Sequence, residues 1–153
     1  MSIYENLKKL NIEIPKPPDP VGSYVAYKKT SNLLFISGQI SIDANGNITK
    51  GKLGKELTVD EGQAAAKLCA INIIAQAKKA CNEKLENIKN CIKLTGYVNS
   101  TIEFVDQPKV INGASEIISA VFGDNGKHTR AAISANSLPL DAAVEVDAIF
   151  ELK

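Results

Sequence analysis

Thr58-Val-Asp-Glu61 is a capping box: the threonine accepts a backbone N–H three residues on, and the glutamate reaches back to the cap. Ala66, Cys69, Ala70, Ile73, Ala77, Ala80 and Cys81 then recur at helical spacing, with Lys67, Lys78 and Lys79 largely on the other side. This predicts a helix running to about Asn82. Because most of its apolar residues are small, such a helix can lie close against a sheet.

The flanking segments supply that sheet. Ser23–Thr30 and Leu33–Ile42 read as strands joined by a Ser-Asn turn, and Asp43–Asn47 is a turn cluster. The glycine- and lysine-rich stretch Ile48–Glu56 gives only a weak strand pattern. In Ile88–Asn99, Ile92, Leu94 and Val98 alternate with Lys93, Thr95 and Tyr97. Asp106-Gln-Pro108 opens a second helix with proline in its first turn, Val110, Ala114, Ile117 and Val121 mark its buried stripe, and Gly123 ends it. Thr129–Ser137 and Ala142–Leu152 are the last strands. Ahead of all this, residues 2–12 form a short helix, and Pro15, Pro17, Pro18 and Pro20 enforce an extended surface arm. The order β-β-(β)-α-β-α-β-β, with hairpins at both ends, predicts an α+β fold: a mixed sheet with two helices on one face. Nothing in the chain covers the other face, so apolar residues there imply a neighbouring subunit.

A length of 153 residues predicts one domain over 1–153, with 1–21 as the N-terminal helix and proline-rich arm. A net charge of +1 and 5% aromatic residues argue against nucleic acid. With no signal-like start and no run of bilayer length, the chain is expected to be cytoplasmic and to use no membrane. Cys69, Cys81 and Cys91 lack CxxC spacing and are expected to be buried reduced thiols. With one histidine, no metal site is expected.

The segment GKHTRAAISANSLPLDAAVEVDAIFE, Gly126 to Glu151, raises a chemical question. Arginine on a half-buried strand is costly unless a planar anion meets it. Arg130 and Glu145 could form a cross-strand ion pair. If the last two strands make a hairpin about Leu138–Asp141, paired numbers sum to about 279. Arg130 and Glu145 then share a face but stand about four residues, roughly 13 Å, apart. Either a bulge shifts the register or each residue belongs to a cleft completed by another subunit.

The chain resembles the Rid family (reactive intermediate deaminases), also known as YjgF or L-PSP proteins. The resemblance rests on Gly22-Ser-Tyr24, Phe35-Ile-Ser-Gly-Gln-Ile40, Asn112, Arg130 followed by Leu138-Pro139, and Val144-Glu145-Val146. The long arm, the insert around Lys50–Lys55 and the stretch Asp106–Ala114 are similar to a less characterised branch. The resemblance implies a chorismate-mutase-like (YjgF-type) fold and a homotrimer with intersubunit clefts. It further implies hydrolysis of 2-imino acids and enamines such as 2-aminoacrylate to 2-keto acids and ammonia, a C–N hydrolase activity without metal or cofactor. Arg130 matches the position that binds the substrate carboxylate and Glu145 the one that handles water. Tyr24, Ser37 and Asn112 match positions near the cleft.

The residue chemistry suits those roles. A guanidinium meets a carboxylate in two parallel hydrogen bonds. A partly desolvated carboxylate can orient water and shuttle a proton. Ser37 precedes Gly38, where a ligand can approach the backbone; no base is placed to make the serine a nucleophile. Tyr24 either donates to substrate or packs with its hydroxyl wet, and Asn112 either meets the ligand or ties down a loop. His128 is either a proton carrier or a strand-edge surface residue. Ala132 stands where well-known Rid deaminases often have cysteine, which leaves the substrate open. Beside the deaminase stand two alternatives: a non-catalytic binder of 2-keto acids, and a ribonuclease or translation inhibitor.

Overall fold

A computed structural model describes residues 2–153. The strands are β1 (Tyr27–Thr30), β2 (Leu33–Ile40), β3 (Ile88–Asn99), β4 (Thr129–Ala135) and β5 (Val144–Leu152); the helices are α1 (Ile3–Lys9), α2 (Val59–Ala80) and α3 (Gln107–Phe122). The sheet order is β1-β2-β5-β3-β4. β4 runs parallel to β3, and the other neighbours are antiparallel. The fold is the expected α+β mixed sheet, with α2 and α3 on one face.

Both long helices begin and pack as their residues dictate. Thr58 and Glu61 make the reciprocal cap of α2, and every residue of its small-residue stripe is buried. The stripe lies against β5, whose alternation puts Val144, Val146, Ala148 and Phe150 under the helices and Glu145, Asp147 and Ile149 on the open face. Each large apolar side chain so buried contributes about 1.5–3 kcal/mol. In α3 the buried stripe is Val110, Ile111, Ala114, Ile118, Val121 and Phe122; Ile117, expected in it, is only half-buried, and Ile118 takes the core position. Phe122 packs on Phe150 with ring centroids 5.7 Å apart.

The arm is docked rather than loose. Ser2 and Glu5 cap α1 reciprocally, and Leu7 and Ile12 are buried in the core. Asn6 donates to the Val121 carbonyl at 3.0 Å, and the Gln76 amide of α2 donates to the Pro18 carbonyl at 2.7 Å.

Three local expectations are corrected. The C-terminal hairpin does not form: β5 inserts between β2 and β3, and α3 carries the chain across so that β4 lies beside β3. A parallel neighbour needs such a crossover, and the turn at Leu138–Asp141 therefore passes over β3. Ile92 is exposed, because a register shift between Cys91 and Lys93 puts Cys91 inside instead. Tyr24 precedes β1 rather than lying within it.

Cys69, Cys81 and Cys91 are free and buried. Burial raises all three thiol pKa values, that of Cys91 to about 12. No helix among the described residues is long and apolar enough to cross a membrane.

Candidate functional site

Residue pairing decides where the two charged residues of the C-terminal segment stand. Arg130 pairs with Leu94 of β3, and Leu94 pairs with Ala148 of β5, so Arg130 is on the helix-covered face. Glu145 pairs with Tyr97, three positions along β3, and is on the open face. The shared face inferred from a hairpin is therefore corrected: the two side chains leave opposite faces, two strands and three residues apart, roughly 14 Å between Cα atoms. An ion pair within one chain is excluded.

Arg130 is braced by neutral acceptors. Its Nη1 donates to Asn112 Oδ1 at 2.8 Å and to Ser115 Oγ at 3.2 Å, and its Nη2 donates to the Pro108 carbonyl at 3.3 Å. All three partners belong to α3. Among the described residues no carboxylate lies within ion-pair distance of it. Its charge is thus not neutralised, and Nε–H with one Nη2–H has no bond to the described residues. Those are the donors a carboxylate accepts in parallel.

Ser115 was not legible as a site residue, although it lies three residues after Asn112 and so on the same side of the helix. It also reaches His128, whose Nε2 is 2.9 Å from Ser115 Oγ and whose Nδ1 is 2.7 Å from the Gly126 carbonyl oxygen. A carbonyl only accepts, so Nδ1 carries the proton, and in the neutral ring Nε2 accepts the serine hydroxyl. The hydroxyl oxygen then remains to accept from Arg130. His128 is half-buried and braces the arginine through Ser115, which differs from either sequence reading. Ser115→Ala is expected to weaken binding of a small carboxylate such as pyruvate about tenfold. Titration calorimetry reads this directly, and an unchanged affinity would remove Ser115 from the site.

The second group lies around β2 and β5. Ser37 and Gly38 form a bulge between Ile36 and Gln39, opposite Asp147. The Ser37 hydroxyl donates to the Val25 carbonyl at 2.7 Å, tying the end of the arm to β2. Gly38 leaves room for Glu145 as it is placed: a Cβ there would stand 2.1 Å from Glu145 Oε1, so the carboxylate would have to move. Glu145 is half-buried, and burial first, then the Asp147 charge, raises its pKa above 4.5. Asp147 accepts from the Tyr97 hydroxyl at 3.0 Å. Tyr24 is 52% exposed; with Gly38 and Glu145 it lines two adjoining cavities. One, of about 650 Å³, runs over the open face past Phe35 and Ile149. The other, of about 370 Å³, is walled by the arm and by Pro139 and Leu140.

The sequence-predicted residues therefore fall into two sets: Arg130 with Asn112 at the β4 edge, and Tyr24, Ser37, Gly38 and Glu145 toward the other end of the sheet. Among the described residues no cluster of three His, Cys, Asp or Glu side chains could hold a metal ion.

Comparison with known proteins agrees with this architecture. Residues 5–152 match the family described as "YjgF/chorismate_mutase-like, putative endoribonuclease". Protein TCP17 of Trypanosoma cruzi is 43% identical over 148 residues, covering 96% of this chain and 92% of that protein. A RutC family protein of Pyrococcus abyssi is 30% identical over 135 residues, covering 88% and 90%. The crystal structure of Atu1372 from Agrobacterium tumefaciens superposes with a TM-score of 0.93 at 43% identity, covering 99% of this chain and 92% of that one. A family match over nearly the whole length, on a sheet of the same architecture, places this chain in the YjgF/L-PSP (Rid) family.

Proposed function

We propose that the protein hydrolyses 2-imino acids and their enamine tautomers to 2-keto acids and ammonia, in clefts shared between subunits of a homotrimer. Family membership supports a broad Rid-type role. The observation that carries the narrower reading is Glu145: a half-buried carboxyl with a raised pKa, seated over the bare backbone of Gly38 where two cavities meet.

A protonated imine carbon is already electrophilic, so catalysis reduces to placing water and moving protons. Glu145 takes a proton from water as its oxygen bonds to the imine carbon. The same carboxyl then protonates the nitrogen of the tetrahedral adduct. As the C–N bond breaks, the adduct's hydroxyl gives its proton to the emptied Glu145 carboxylate, the carbonyl forms and ammonia leaves, carrying that proton away as ammonium. A pKa above the ordinary carboxylate value suits a group that must both accept and return a proton.

Arg130 supplies the carboxylate clamp, but from the opposite face of its own sheet. A second subunit resolves this: its Arg130 edge meets the Glu145 cavity of the first. The open face favours such packing, because Phe35 at 41% exposure and Ile133 at 49% lie on it with Tyr97 and Ile149.

The test generates imino acids in situ with an amino acid oxidase and follows keto-acid release. Faster release with the protein present is the expected result. Absence of acceleration together with tight keto-acid binding that Arg130→Ala abolishes would instead assign a metabolite-binding role.

A further inference from the structure

Resting on the reading that Glu145 marks the reaction centre, we infer that the arm-walled cavity behind it is a side-chain pocket, and that the substrate is a 2-imino acid with an extended apolar side chain of about four carbons or more. Charge sets the orientation. The charged residues lining the 370 Å³ cavity are Asp19 and Glu145, both acidic, so a substrate carboxylate is repelled from it. The carboxylate must point outward, and the side chain enters. The walls match that side chain: Ile40 and Ile42 from β2 and its continuation, Ala26, Val21 of the arm, and Pro139 with Leu140 opposite. A volume of about 370 Å³ is within the range of ligand cavities, about 300–1,000 Å³. The methylene of 2-aminoacrylate would leave most of it empty.

The fold also holds both walls in place. Leu140 and Asp141 have φ of 57° and 58°, a left-handed backbone that non-glycine residues avoid. Such conformations persist where neighbours over-determine them. Here the Asn99 amide donates to Asp141 Oδ1 at 3.2 Å, Gly51 N–H donates to the Asp141 carbonyl at 3.0 Å, and Lys52 bonds both Asn99 and the Asn136 carbonyl. The strained turn sets Leu140 at the cavity. On the other side, the buried Gln76 amide grips the Pro18 carbonyl and fixes the arm.

The experiment compares leucine-derived and alanine-derived imines, and in parallel the affinities of 4-methyl-2-oxopentanoate and pyruvate by titration calorimetry. Wild type is expected to favour the longer compound at least about tenfold in both measurements, since each buried methylene discriminates by roughly tenfold or more. Leu140→Gly keeps a residue that tolerates the left-handed backbone, so folding is retained while the preference falls about tenfold. Should no imine be hydrolysed, yet the longer keto acid bind tighter and Leu140→Gly erase the difference, the deaminase reading fails and the pocket stands. Equal treatment of the two lengths, no binding of either keto acid, or a preference unmoved by Leu140→Gly overturns the pocket.

Discussion

Replacing Glu145 by glutamine is expected to lower kcat for imine hydrolysis by about 10²–10⁴-fold, the usual contribution of a positioned general base. The amide has nearly the same shape, so it still fits over Gly38, where a Cβ would come within 2.1 Å of the carboxylate oxygen. It cannot accept a proton from water. A turnover within about threefold of wild type would exclude Glu145 as the base. Stability should move the other way. Burial raises the native pKa of Glu145 above 4.5, so the folded protein binds this proton more tightly than the unfolded chain does. Stability therefore falls as pH rises from the unfolded pKa through the folded one, and the cost is fully present above that window. Glutamine carries no such cost. Thermal unfolding should show Glu145→Gln gaining Tm over wild type at pH 7 and gaining less at pH 4. An identical difference at both pH values would mean that burial does not penalise the charged form.

Mixing two inactive variants is expected to restore activity. On the proposed mechanism Arg130→Ala removes the carboxylate clamp and Glu145→Gln the base, and each variant by itself should be nearly inactive. In a trimer whose three clefts each take Glu145 from one subunit and Arg130 from the next, random mixing leaves about one cleft in four with both residues intact. Co-refolded equimolar variants should therefore recover about a quarter of wild-type activity. Recovery no greater than the sum of the separate variants would show that both residues act within one subunit. The geometry argues against that outcome, because Arg130 leaves the helix-covered face and Glu145 the open one.

The long helix and its sheet partner were legible from local pattern. The Thr58 capping box and the small-residue stripe of α2 carry their meaning within one turn or one face of a helix. The alternation of β5 separated Val144, Val146, Ala148 and Phe150 from Glu145, Asp147 and Ile149 in the same way. The placement of Arg130 was not legible. Parity along a strand states which residues share a face, but only once the neighbouring strand is known. A turn at Leu138–Asp141 suggested β4 beside β5, whereas the α3 crossover puts β4 beside β3. That one change reverses the face of Arg130 and replaces a salt bridge with a clamp of neutral acceptors on α3.

Sequence by itself determined the α+β class, the two long helices, the short N-terminal helix with its proline-rich arm, and which residue types were candidates for a site. These depend on short-range periodicity, capping and side-chain chemistry. Tertiary structure alone decided that Ser115 and His128 brace Arg130, that Gly38 makes room for Glu145, and that the arm and the strained Leu140 turn enclose a cavity beside it. Each of these joins residues from segments far apart in the chain. Such contacts follow from strand order and helix crossover, which no local pattern encodes.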